Sequence, residues 1–164
     1  MEIRQLNQTD DLCEISRIYE ESWKFAYRGI VPQDYLDSIK AGSWVEYLGT
    51  PGRHSLVITE GGEYLGTASY SPSRSADSAG LGEIISLYLL PRSMGKGYGI
   101  KLLKAALEEL EKLGYAEVFL WVLEENARAR SFYEKAGFLP SGQSLEVNIG
   151  GKPLREVQYR YRLR

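Results

Sequence analysis

Cysteine and histidine are nearly missing from this chain of 164 residues, with one of each, Cys13 and His54. A single cysteine cannot close a disulfide within the chain, so nothing here is built for an oxidising compartment. Cys13 sits among Leu12, Ile15 and Ile18 at helical spacing and reads as a small buried apolar residue rather than a nucleophile. His54, beside Arg53 and Ser55 at the start of a strand, reads as a surface residue. No group of Cys, His and carboxylates has metal-ligand spacing, so no metal is expected. An excess of one charge is missing too: 20 basic residues stand against 22 acidic ones, a net charge of −2. That speaks against nucleic-acid binding driven by bulk electrostatics. No apolar run approaches the length of a membrane span. The opening Met1-Glu2-Ile3-Arg4-Gln5 is too polar for a secretory signal. A soluble cytoplasmic protein is expected, without a membrane or nucleic-acid partner; a homodimer is left open.

Repeats and linkers are absent, and the length suits one domain over residues 1–164. Leu12, Ile15, Ile18 and Tyr19 predict a helix over Asp10 to Trp23, capped by Thr9 or Asp10. A short helix follows from Pro32 to Ile39. Ser55–Thr59 and Tyr64–Tyr70 read as strands joined at Gly61-Gly62, and Ser71 to Gly80 as an exposed loop. Glu83–Leu90 is a strand ended by Pro91. Gly97–Leu113 is the clearest helix, with Ile100, Leu103, Leu107 and Leu110 in one stripe and Gly114 closing it. Val118–Val122 is apolar on both faces, the mark of a covered strand. Asn126 caps a helix running to Ala136, and strands near Leu145–Ile149 and Leu154–Tyr161 finish the chain. The expected fold is α/β, with one mixed central sheet. The unit from Glu83 to Val122 forms a parallel βαβ core with a right-handed crossover.

Chemistry enters at Met94-Gly95-Lys96-Gly97-Tyr98-Gly99-Ile100, between a strand and the longest helix. A helix N-terminus offers free N–H groups and partial positive charge to an anion. Glycines at alternate positions let backbone approach phosphate, and Lys96 adds a mobile cation. A magnesium-binding P-loop would need Ser or Thr after Gly95-Lys96, and Gly97 stands there. The dinucleotide pattern fails as well, at Ile100 or at Leu102.

With this loop the chain resembles the GNAT superfamily of N-acetyltransferases, whose signature is Gln or Arg, two residues, Gly, one residue, then Gly or Ala. The glycines match and Met94 departs from Gln or Arg. The resemblance continues through Asn126-Ala127-Arg128-Ala129-Arg130-Ser131-Phe132-Tyr133-Glu134-Lys135-Ala136-Gly137-Phe138, where every anchor of the family's second motif is present. Together the motifs cover Glu83 to Phe138. The resemblance implies a mostly antiparallel sheet with the parallel βαβ core and helices on both faces. It implies acetyl-CoA as co-substrate, its pyrophosphate on Met94 to Ile100, and its pantetheine arm along Leu87, Tyr88 and Leu89 and beside Asn126. A splay in the sheet is expected near Pro91.

Acyl transfer to an amine needs a deprotonated amine, a stabilised oxyanion and a protonated leaving thiolate. The resemblance makes Tyr133 the acid; helix periodicity alone would make it a core tyrosine. Glu83 shares a strand parity with Ile85, Leu87 and Leu89 and reads as a lone carboxylate on an apolar face, raised toward a useful pKa by burial. A histone acetyltransferase branch of the family carries a base at this spacing; a solvent-facing strand start and an ordered water are the other readings. Trp23, Tyr27 and Arg28, in a segment that walls the acceptor site in the family, are the candidate substrate residues, with Arg28 placed to fork a carboxylate. The expected function is acetyl transfer from acetyl-CoA to a primary amine of a small molecule or peptide by direct attack. A non-catalytic acyl-CoA sensor is the alternative, and the intact Tyr133 speaks for the enzyme.

Overall fold

In the computed structural model, which describes residues 1–164, the chain runs β1 Glu2–Gln5, α1 Leu12–Ala26, α2 Gln33–Ser38, α3 Val45–Leu48, β2 His54–Glu60, β3 Glu63–Pro72, β4 Gly82–Leu89, α4 Tyr98–Lys112, β5 Glu117–Leu123, α5 Ala127–Lys135, β6 Leu139–Ile149 and β7 Lys152–Arg162. The strands form one sheet in the order β1-β2-β3-β4-β5-β7-β6. Only β4 and β5 pair in parallel, and every other neighbour is antiparallel. The expected fold class is thus the observed one.

Side-chain alternation on β2 divides the two faces. Leu56 and Ile58 join the main core with Leu102, Leu103, Ala106 and Leu110 of α4. Val57, between them, packs with Ile15 and Tyr19 of α1. Helices therefore cover both faces. Phe138 and Tyr159 close the main core below α5. A third cluster, Val31, Leu36, Leu123 and Leu154, seats α2 and the segment before it against β5 and β7.

Several local expectations shift. The cap of α1 is Asp11, whose carboxylate accepts from the Cys13 N–H at 3.0 Å. Asp10 is engaged elsewhere, accepting from Arg4 Nη2 at 2.6 Å and Tyr64 Oη at 2.8 Å. This pairing ties β1 to β3. The buried stripe of α1 runs through Ile15, Ile18 and Tyr19, so Cys13 faces solvent instead of the core. β1 and α3 lie where the sequence suggested no element. Part of the supposed loop after Ser71 is ordered: β3 extends to Pro72, and Ala76–Ser78 make a 3-10 turn. No helix is long and apolar enough to cross a membrane.

Candidate active site

The site begins with one extra residue in β4. Ser69 pairs with Ser86 and Tyr70 with Ile84, which leaves Ile85 as a bulge. A bulge bends its strand and shifts side-chain parity by one. Ile84, Leu87 and Leu89 accordingly pack toward α4, while Tyr88 packs toward α1. Glu83 therefore does not share a face with Leu87 and Leu89, as simple alternation suggested. Pairing of β4 with β5 stops at Glu83 and Phe119. The splay thus opens at Ile84, well before Pro91. β4 stays paired to β3 as far as Leu89. On the β5 side its backbone groups are left free to hold an extended ligand. The opening is a cleft of about 890 Å³, lined among others by Leu87, Tyr88, Leu89, Asn126 and Tyr133.

The glycine loop closes one end. Gly95 and Gly97 have φ of 76° and 83°, left-handed values that disfavour a side chain. A Cβ at either would meet nothing within 4 Å, so open space lies over the loop. No side chain caps α4. The amides of Gly95, Lys96, Gly97, Tyr98, Gly99 and Ile100 donate to no turn carbonyl or side chain, and the first turn of a helix has no internal acceptors. Six consecutive donors are thus left without a protein acceptor at this end of the cleft. Gly99 is buried where α4 meets α5 and β4, and a Cβ there would make ordinary contacts with Phe132 at 3.4 Å and Leu89 at 3.6 Å. The Tyr98 hydroxyl donates to Glu60 at 3.1 Å and pins the loop to β2. Met94 and Ile100 line the cleft, whereas Lys96 stands exposed beside it.

Across the cleft, Asn126 caps α5 by accepting from the Ala129 N–H at 3.2 Å. Such a cap is worth ~1 kcal/mol. Two turns later Tyr133 packs edge-on against Phe132 and Phe138. Its hydroxyl makes no hydrogen bond to the protein, and the residue lines the cleft. Burial, then the nearby Tyr88, pushes this phenol above its ordinary range. It stays protonated at neutral pH.

Glu83 is not a lone carboxylate. It is 2% exposed and held by Arg74, whose Nη2 lies 2.7 Å from Oε2 and whose Nε and backbone N–H reach Oε1 at 3.2 and 3.0 Å. Three donors on two oxygens leave it as a fixed ion pair. The unpaired carboxylate of the cleft is Glu156 on β7, which sequence reasoning missed. It lines the cleft half-buried and has neither hydrogen bond nor ion pair. Burial raises its pKa and Glu83 adds to the rise, while Arg74 partly opposes it. The available signal was β7 parity, since Glu156 lies between Leu154 and Gln158 on one buried face.

The α1 side supplies an aromatic wall. Trp23 Nε1 donates to Tyr88 Oη at 3.1 Å, and the Tyr27 and Tyr88 hydroxyls lie 3.4 Å apart. Trp23 packs on Tyr27 and Trp44 at centroid distances of 4.8 and 5.4 Å. All three tryptophans, Trp23, Trp44 and Trp121, line the cleft. Arg28 does not. It is exposed, with its guanidinium over the Phe25 ring at 5.8 Å, because the turn after α1 carries it outward. The arginines that do line the cleft are Arg53, Arg74 and Arg128. Arg53 donates to Tyr19 at 2.9 Å and has no carboxylate partner. His54 is exposed and stacks on Tyr70. No group of three or more His, Cys, Asp or Glu side chains is gathered for a metal ion.

Known proteins resemble this chain in sequence and in fold. An uncharacterised N-acetyltransferase of Archaeoglobus fulgidus is 32% identical over 136 residues, 81% of this chain and 89% of that protein. A spermidine N(1)-acetyltransferase of Thermoplasma acidophilum is 29% identical over 147 residues, 84% of this chain and 88% of that protein. The PaiA N-acetyltransferase of Thermoplasma acidophilum, solved in complex with coenzyme A, superposes with a TM-score of 0.74 over 99% of both chains. At 22% identity it speaks for the fold alone. The model of the acetyltransferase (GNAT) family matches residues 14–138, from the first turn of α1 to the end of the second motif. The chain belongs to the acetyltransferase (GNAT) family, and its class is that of the CoA-dependent N-acetyltransferases.

Proposed function

We propose that this chain transfers an acetyl group from acetyl-CoA to a primary amine of a small molecule or peptide, by direct attack and without a covalent enzyme intermediate. The observation that carries this reading is the alignment of six free amides, an unpaired strand edge and a free tyrosine hydroxyl along one cleft. These groups fit the co-substrate, which supplies the activated acetyl thioester. The amides from Gly95 to Ile100 suit its pyrophosphate, and the free space at Gly95 and Gly97 admits it. The free edge of β4 near Leu87 and Leu89 and the Asn126 amide suit the pantetheine. Tyr133 holds a proton at Oη where the leaving sulfur needs one.

Coenzyme A therefore stabilises the protein, whereas ATP and NAD do not. At a concentration 100 times its dissociation constant, CoA adds ~2.7 kcal/mol. Thermal melts with each ligand check this, and equal shifts with ATP and CoA would refute it. A screen of amine acceptors with thiol release as readout then separates enzyme from sensor.

A further inference from the structure

Arg74 occupies both oxygens of Glu83. Glu156 is under no such constraint. It sits on β7 opposite Leu123 of β5 and Leu145 of β6, and shares its strand face with Leu154. Leu154 belongs to the cluster against which Trp23 and Tyr27 pack, so Glu156 stands where the aromatic wall meets the splay. The charged and titratable groups around it are Tyr27 after α1, Tyr88 and Glu83 on β4, and Arg74 between β3 and β4. Arg74 is already spent on Glu83. Burial raises Tyr27 and Tyr88 as well, so both stay neutral and add no counter-charge. The position thus has an unsatisfied carboxylate, aromatic faces and no free cation beside it. That chemistry suits an alkylammonium ion.

We propose that Glu156 is the residue that receives the acceptor, binding it as a primary alkylammonium against Trp23, Tyr27 and Tyr88 and taking its proton. This rests on the acetyltransferase reading above. In the step, nitrogen bonds to the acetyl carbon and the carbon–sulfur bond breaks. Of the two protons that leave nitrogen, one passes to Glu156 and then to solvent. The other ends on the departing sulfur through Tyr133. Atoms and charge balance without a further reactant.

The test compares wild type with Glu156→Gln, Glu156→Asp and Glu83→Gln. Thiol release is followed with acetyl-CoA and hexylamine, spermidine or an alanine-terminated peptide, from mildly acidic to mildly alkaline pH. Glu156→Gln is expected to lower kcat/KM by ~100-fold at neutral pH, within the range of general-base catalysis. The loss shrinks as pH rises and solvent supplies free amine, and Glu156→Asp retains part of the activity. A second readout needs no turnover. A carboxyl whose pKa is raised by folding favours the native state while protonated, and that contribution is lost as pH rises through its folded pKa. Without CoA, Glu156→Gln should melt above wild type at neutral pH, with the two curves meeting in acid. Glu156→Gln within about threefold of wild type and with an unchanged pH profile overturns the proposal. So does the base-like signature appearing in Glu83→Gln alone. If wild type releases thiol with no amine, the acetyltransferase reading fails instead. The ammonium site is then judged by calorimetry with hexylamine and CoA-loaded protein. Binding that Glu156→Gln abolishes upholds it, and equal binding or none sinks it.

Discussion

Replacing Tyr133 by phenylalanine lowers turnover ~10²–10⁴-fold while CoA binding survives. The ring packs against Phe132 and Phe138, and phenylalanine keeps both contacts. The lost hydroxyl has no protein partner, so its removal leaves no polar group stranded. Stability should barely change. Its phenol is pushed above the ordinary range by burial. Deprotonation of Tyr133 therefore does not limit wild-type rate near neutrality, and any alkaline fall from this group begins beyond the usual phenol pKa of ~10. The measurements are kcat against pH with one good amine and calorimetric titration of CoA, for both proteins. A loss of less than about threefold would mean that the thiolate leaves unassisted.

Gly97→Val abolishes most CoA affinity, and Met94→Gln leaves it nearly intact. Two effects combine at Gly97. Its φ of 83° is hostile to a β-branched residue, which costs the fold about 1–3 kcal/mol. The protein has open room for the new side chain, since nothing lies within 4 Å. That room is where a phosphate must come to reach the amides, so the methyls block the ligand rather than the fold. A tenfold or larger loss, ~1.4 kcal/mol or more, is expected in calorimetry. Gly97→Ala, which strains the backbone less, should fall between. The Met94 N–H is already given to the Pro91 carbonyl at 3.2 Å, so position 94 adds no free amide whichever side chain it carries. Unchanged CoA affinity in Gly97→Val would show that phosphate binds elsewhere.

Elements with strong local signals were legible in the sequence: the Gly61-Gly62 hairpin, the stripe of α4, the Asn126 cap and the alternating glycines. Each depends on residues within a turn or two of one another. What escaped depends on distance. β1 is short and polar, and forms because Ile3 finds Ile58 across the sheet. Glu83 looked alone on its strand because its partner, Arg74, lies in a loop that folds back. The parity of β4 misled because an extra residue in a strand leaves no mark in composition, and Ile85 is as apolar as its neighbours. Arg28 looked like the cleft's cation because it follows Trp23 and Tyr27; the chain turns there, and Arg53 and Arg74 arrive from elsewhere. Glu156 is one charge among several on a polar-looking strand, and it lines a cleft only because β7 is wedged between β5 and β6.

The placement of Trp23, Trp44 and Trp121 around one cleft gives the protein a built-in optical reporter. Tryptophan emission in this chain arises from the cleft wall alone, with no indole in the main core to dilute it. Trp23 and Trp44 sit on the α1 side of the cleft and Trp121 on β5 across the splay. Single replacements by phenylalanine would therefore split the signal into its two sides. Order of binding could then be followed by fluorescence in the unlabelled enzyme, before any acceptor is known to react.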